Sequence, residues 1–103
     1  MTTTYRFSQT GEGASAPKPM NQYQTPFNVS VSAVVEGTAT YTIEHTFDHP
    51  FQDAGNMAFF SHPDLEGETG NADGNYAFPV SAIRVNVTSG AGTVHVTLLQ
   101  GAY

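Results

Sequence analysis

The sequence predicts an all-β domain, either a β-sandwich or a jelly roll of two small antiparallel sheets, preceded by an extended N-terminal arm. Apolar and polar residues alternate along several segments, which is the period of half-buried strands. Threonine and valine are abundant while leucine is scarce, a composition that favours strands. No long segment has the spacing of an amphipathic helix. Short strands joined by turns, without helices, are typical of sandwiches and jelly rolls.

The arm is predicted to span residues 1–26 and the sandwich domain residues 27–103. Gly, Ser, Ala and Pro dominate residues 8–26, so this segment alone is expected to be extended. An ordered arm needs a surface, which is the domain's own sheet, a neighbouring copy or another chain. On its own sheet, the stretch around Arg6 adds as an edge strand. Because aromatic side chains dominate interface energetics, the predicted partner-binding anchors are Tyr5, Phe7 and Tyr23.

Two alternating segments are predicted to pair as a first long β-hairpin. Residues 27–35 place apolar side chains at every second position, and Glu36-Gly37 offers a turn. Residues 39–47 alternate again, with one face formed by Ala39, Tyr41, Ile43 and Phe47. Pro50 ends this strand because proline lacks the donor that a ladder needs.

The middle of the chain is predicted to be mostly loop. Residues 51–56 form a loop, and residues 57–60 form a short buried strand. Residues 62–75 are rich in Gly, Asp, Glu and Asn, which indicates a long surface loop. A short strand at residues 76–78 then breaks at Pro79.

A second hairpin is predicted from residues 82–88 and 93–99 around a turn at residues 89–92. Its inward side chains are Ile83, Val85, Val87, Val94, Val96 and Leu98. In both predicted hairpins Gly-Thr opens the return strand. This similarity is either a weak internal repeat, with one hairpin in each sheet, or the generic pattern of hairpins.

Charge and composition exclude several classes of partner. The net charge is −6, and the three basic residues Arg6, Lys18 and Arg84 are scattered, which argues against nucleic acid and anionic membranes. Only 12% of residues are charged, so a surface of hydroxyls and amides desolvates at low cost against a protein partner. No cysteine, membrane-length apolar run or signal-peptide pattern is present, and synthesis in a cytoplasm is expected.

No metal site is predicted. His45 lies on the apolar face of its strand, where a hydrogen-bonded core histidine is expected, and His95 points to the opposite, exposed face. His49 and His62 each precede a proline without the spacing of a zinc motif. The acidic segment 64–75 lacks the EF-hand pattern, so a solvated loop is favoured and calcium remains the alternative.

No enzyme and no cofactor are predicted either, because the sequence contains no nucleophile elbow, dinucleotide fingerprint or P-loop. The aromatic residues form either a sugar-stacking platform or part of the core. Tryptophan is absent and Tyr41 has inward parity, so core packing is favoured for the set Tyr23, Tyr41, Tyr76, Phe59 and Phe60.

Residues 35–48 (VEGTATYTIEHTFD) and 74–87 (GNYAFPVSAIRVNV), with the continuation from Gly92-Thr93 to Gly101, resemble small virion structural proteins of tailed bacteriophages. The resemblance covers residues 27–101. It implies a virion location and a capsid decoration or cement protein that binds the major capsid protein and neighbouring copies of itself, as a homo-oligomer in the particle, and stabilises the head. A tail, fibre or head-fibre module that binds a host receptor or carbohydrate is the alternative. For the first role, deletion of residues 1–22 is expected to abolish attachment while the domain stays folded.

Overall fold

A computed structural model of the chain describes residues 2–48 and 57–101, and these ranges contain strands and no helix. The predicted all-β fold of two antiparallel sheets is therefore confirmed. His49, Pro50 and the predicted loop 51–56 lie outside the described residues, and no membrane-spanning helix occurs within them. The strands are β1 Thr2–Thr10, β2 Gly13–Ala14, β3 Lys18–Pro19, β4 Val29–Glu36, β5 Thr40–Thr46, β6 Phe59–Ser61, β7 Ala72–Tyr76, β8 Ala82–Ser89 and β9 Thr93–Gly101.

The strand order is that of a jelly roll. Sheet A has the order β1-β9-β4-β7, and sheet B has the order β2-β8-β5-β6, with β3 also paired to β8. If β2 and β3 are counted as one interrupted strand, each sheet has four positions. The chain then changes sheets at every connection except the one between β5 and β6, which gives the two interleaved Greek keys of a jelly roll.

The prediction of two hairpins was wrong, so the alternative of a repeat with one hairpin in each sheet does not hold. β4 pairs with β7 and β9, whereas β5 pairs with β6 and β8, so the strands of each predicted hairpin lie in different sheets. The glycine turns are corners that carry the chain across the sandwich. The two corners lie against each other, and the Gly92 N–H donates to the Thr38 carbonyl at 2.8 Å. A hairpin and such a corner have the same sequence pattern, two alternating segments joined by a glycine turn, so the pattern did not distinguish them.

The core lies between the sheets and contains the side chains that alternation placed inward. Ile43 and Val85 are 0% exposed and Val96 is 1% exposed. Burying such a side chain contributes about 1.5–3 kcal/mol, so these positions supply much of the driving force for folding. Other fully buried core side chains are Val29, Val31, Tyr41, Leu65, Tyr76, Val87 and Leu98.

The segment predicted as a surface loop at residues 62–75 is more structured than its composition indicates. Leu65 is buried in the core, and the Ile43 N–H donates to its carbonyl at 2.9 Å. Residues from Ala72 onward form β7, an edge strand paired with β4. The expected burial of residues 57–60 was also wrong, because Phe60 is 52% exposed on the short β6.

The N-terminal segment is paired to both sheets. β1 pairs with β9 from Thr2↔Gly101 to Thr10↔Thr93 without a bulge, and β2 and β3 pair with β8. Residues 2–19 therefore carry strand pairing within the sandwich itself. Deletion of residues 1–22 would remove these strands and their core contacts, so it does not separate attachment from folding.

Candidate partner-binding surface

Three exposed phenylalanine rings lie at one end of the sandwich, with Phe47 adjacent to both Phe60 and Phe78. Phe47, Phe60 and Phe78 are 54%, 52% and 46% exposed. The ring centre of Phe47 lies 5.8 Å from that of Phe60 and 6.3 Å from that of Phe78. We call these three residues the aromatic patch. Contiguous exposed apolar surface marks interaction sites, and large aromatic side chains are frequent binding hot spots.

Strand parity explains why these rings meet. Phe47 lies two residues beyond the buried His45, and Phe60 pairs directly opposite His45 in the ladder of sheet B. Phe78 lies two residues beyond Tyr76, the last residue of β7. All three side chains therefore continue the inward faces of their strands. At this end of the sandwich the facing sheet no longer covers them. Their apolar side chains, although directed inward, are therefore exposed.

Two buried polar side chains form the floor of the aromatic patch. The ring centre of His45 lies 5.3 Å, 6.1 Å and 5.6 Å from those of Phe47, Phe60 and Phe78. His45 is 5% exposed, and its Nδ1 atom lies 2.9 Å from the hydroxyl of the fully buried Tyr76. This floor is held by packing from both sheets, which limits the positions available to the rings above it.

The electrostatics of the floor keep it neutral. Burial lowers the pKa of His45, and the neighbouring His62 lowers it further. Burial raises the pKa of Tyr76, with a smaller contribution from Glu44. Both groups are therefore uncharged near pH 7, so the floor places no charge beneath the exposed rings.

His62 closes the other side of Tyr76, with its ring centre 4.8 Å from the tyrosine ring in an edge-on arrangement. Its Nε2–H donates to the Asn75 carbonyl at 2.8 Å, and its Nδ1 accepts the Asp64 N–H at 3.1 Å. Both ring nitrogens are thus engaged by the backbone, so His62 has no free nitrogen for a metal.

The other histidines of the described chain do not converge on a metal either. His45 is buried and hydrogen-bonded as predicted, and His95 is exposed as predicted, with Nε2 3.4 Å from Glu36 Oε1. Across residues 2–48 and 57–101, no three His, Asp or Glu side chains cluster in a way that would hold a metal ion.

The predicted anchors occupy two different environments. Tyr5 and Phe7 lie on the inner side of β1, half-buried and packed against the core, and Lys18 Nζ is 5.4 Å from the centre of the Tyr5 ring. Tyr23 lies in the turn between β3 and β4 and is 84% exposed. Of the three, Tyr23 is the side chain with most surface left to offer a partner.

The outer face of sheet A is a second, flatter surface. Its strands present small hydroxyl side chains around an open depression of about 310 Å³ lined by Ser30, Val31, Ser32, Asp73, Gly74, Thr97 and Leu99. Leu99 and Val34 are the exposed large apolar side chains on this face of the described strands, at 41% and 48% exposed. This face matches the composition of the chain, which is poor in charge and rich in hydroxyls.

The sequence alone did not indicate the aromatic patch. Parity placed Phe47 on the inward face, and the apolar run of residues 57–60 placed Phe60 in the core; the inward orientation of both is correct. The missing information was where the core ends, which depends on the length of the strands in the facing sheet. The sequence did contain one indication that Phe47 lies at the edge of the core, because this residue directly precedes Asp48 at the end of its strand.

No family model matches this sequence, and no curated protein matches it. Among solved structures, a protein of Bacillus endospore appendages, described as disulfide-linked pili, has a TM-score of 0.56 at 14% identity, covering 99% of this chain and 87% of that one. A chain from the capsid of a Helicobacter pylori bacteriophage has a TM-score of 0.47 at 10% identity, with 96% and 86% covered. A cupin 2 domain-containing protein from Halorhodospira halophila has a TM-score of 0.42 at 10% identity, with 99% and 53% covered. At 14% identity, the similarity to the endospore appendage protein concerns the fold alone.

Proposed function

We propose that this chain is a structural protein of a bacteriophage virion, a decoration or cement protein that binds the major capsid protein together with neighbouring copies of itself. The observation that carries the proposal is the aromatic patch on a small, weakly charged sandwich. The sequence resemblance of residues 27–101 to small phage virion proteins is the reason for choosing a capsid protein as the partner of the patch. The role is structural and not catalytic.

The energetics of the patch fit attachment to a repeating surface. Fully burying a phenylalanine contributes about 1.5–3 kcal/mol, and rings already half-buried contribute less. Three such rings offset only part of the entropy lost on association, so one copy binds weakly through the patch alone. A capsid presents the same site many times, and linked copies then bind far more tightly than one.

The low charge of the surface supports the same role. Covering a surface of hydroxyls and amides avoids the large penalty of burying unpaired charge. The neutral floor below the rings has the same advantage at the centre of the contact.

The test is attachment of the purified protein to capsids that lack it. The double variant Phe60→Ser, Phe78→Ser is expected to bind at least about tenfold more weakly, because it removes two of the three rings. Leu99→Ser is the matched control, since it removes an exposed apolar side chain from a different surface. Attachment of the double variant at the parent's level would refute the role of the patch.

Tyr23 tests the predicted anchors separately. Tyr23→Ala alters an exposed side chain, so a loss of attachment reports on binding, whereas alanine at Tyr5 or Phe7 also removes core contacts. We expect Tyr23→Ala to weaken attachment with unchanged thermal stability.

The receptor-binding alternative has its own readout. If the purified protein does not bind capsids and binds defined sugars on a glycan array, the decoration role is wrong and a tail, fibre or head-fibre role is favoured. We expect capsid attachment and no glycan signal.

A further inference from the structure

The outer edge of β1 carries main-chain groups that no described strand pairs. β1 is the terminal strand of sheet A and has β9 as its single neighbour. The Gly11 N–H donates to the Gly92 carbonyl at 3.0 Å, which continues the β1–β9 ladder and fixes its phase. Odd-numbered residues of β1 therefore bond to β9. The even-numbered residues direct their N–H and C=O groups to the free edge, and these are Thr4, Arg6, Ser8 and Thr10.

The other sheet edges in the described chain are protected against strand addition. β6 has three residues, and β7 has five, including Asp73 and Gly74. β2 and β3 have two residues each and are separated by a segment containing Pro17. Short strands, charge and proline are the usual means of blunting an edge. β1 has nine residues, a continuous register, no proline and no acidic residue.

We propose that a second copy of this chain occupies the free edge, with β1 antiparallel to β1 about a two-fold axis, so that two A sheets form one continuous sheet. Such an edge is complementary to itself, because each outward N–H of one strand faces an outward C=O of the same strand in the other copy. The inference deepens the self-association in the proposed function, but its test uses the purified protein alone, so it can fail separately from capsid attachment.

Charge favours this edge over the rest of the surface for self-association. Two copies each carry a net charge of −6 and repel each other. β1 has Arg6 as its sole charged residue, and Lys18 lies beside it over the Tyr5 ring. Contact along β1 therefore joins the copies where no acidic side chains of the strand meet.

The position of Arg6 also selects the register. Pairing Arg6 with its own copy would place like charges directly opposite each other, which is destabilising. A shift by one pair places Arg6 opposite Ser8 of the second copy and Thr4 opposite Thr10. Phe7 then lies opposite its own copy on the inner side, and residues 4–10 overlap completely.

Ser8→Pro tests the pairing directly. The Ser8 N–H points to the free edge, so proline removes an inter-copy donor from each chain without removing a β1–β9 hydrogen bond. Ser8→Ala keeps the N–H and is the matched control. Sedimentation of the 11.0 kDa parent is expected to give a dimer of about twice that mass, and Ser8→Ala the same. Ser8→Pro is expected to weaken dimerisation at least about tenfold.

A second variant keeps the test decisive if proline disturbs the fold. Ser8→Lys places a cation opposite Arg6 of the second copy, so dimerisation is expected to weaken at low salt and to recover as salt screens the repulsion. Asn75→Lys, on the exposed face of β7 at the opposite edge of sheet A, is expected to leave the dimer unchanged. A parent that stays monomeric at millimolar concentration, or a Ser8→Lys variant that dimerises like the parent at low salt, would overturn the inference.

Discussion

The Tyr76 hydroxyl lies 2.9 Å from His45 Nδ1, so a hydrogen bond between two buried side chains joins sheet A to sheet B. Tyr76→Phe removes the hydroxyl and leaves a buried ring nitrogen without that partner. We expect the free energy of unfolding to fall by about 1–2 kcal/mol, measured by urea denaturation. Tyr23→Phe, at an exposed position, is the control and is expected to change stability by less than about 0.5 kcal/mol.

Acid is expected to destabilise the fold through His45. Burial lowers the pKa of His45 in the folded state below the ordinary value of 6.5, so the unfolded chain binds its proton first as the pH falls. The contribution of this group to stability is fully present above about pH 6.5 and is lost as the pH falls towards the folded-state pKa. Urea denaturation between pH 7 and pH 5 measures this loss.

Variants assign the acid effect to one residue. His45→Gln is expected to flatten the decline of stability between about pH 7 and pH 5, because it removes the group whose pKa is shifted. His95→Gln changes an exposed histidine and is expected to leave the decline as it is. An identical decline in His45→Gln and the parent would contradict this account.

The stacked corners are expected to tolerate no side chain at Gly92. A Cβ atom there would lie 2.6 Å from the Glu36 carbonyl oxygen and 2.7 Å from the Thr38 nitrogen, both in the backbone of the facing corner. Gly92→Ala is therefore expected to destabilise the fold by about 3 kcal/mol, measured by thermal unfolding. Gly70→Ala is the matched control, since a Cβ at Gly70 meets nothing within 4 Å.

The planar guanidinium group of Arg84 is expected to contribute to stability in a way that lysine does not reproduce. Its Nε donates to Glu44 Oε1 at 2.7 Å, and its guanidinium carbon lies 3.5 Å from the centre of the Phe59 ring. Lysine keeps the charge and loses the stacked, directional contact, so Arg84→Lys is expected to lower stability by about 1 kcal/mol. Arg6→Lys, on the exposed side of β1, is expected to have little effect. Equal losses in the two variants would argue against the stacking.

Alternation along the chain predicted most of the strand side chains that fill the core, although it did not predict Leu65. It placed Ile43, Val85 and Val96 inward because period two is a local property of a strand. It did not predict which strands pair, because Glu36-Gly37 reverses the chain in the same way at a hairpin or at a corner between sheets. Pairing is set by the packing of both sheets together, and a local pattern does not record it.

β7 was missed because its composition is that of a loop. Gly74 lies in this strand, where a Cβ atom would come within 3.1 Å of Leu65 and 3.3 Å of His62. The glycine makes room for side chains from a distant segment. The need for glycine at this position therefore comes from tertiary packing and not from the local sequence. The sequence predicted an edge strand at β1 as one of three possibilities for the N-terminal segment. It did not predict that this strand is nine residues long.

The place of β9 in sheet A governs when this domain folds during synthesis. β9 lies between β1 and β4, and β1 has no other neighbour among the described strands of the sheet. Residue 101 must therefore leave the ribosome before Thr2 acquires its partner, with almost the whole domain already translated. Such distant pairings make folding slow, and the nascent chain exposes an unfinished sheet until its ninth strand arrives.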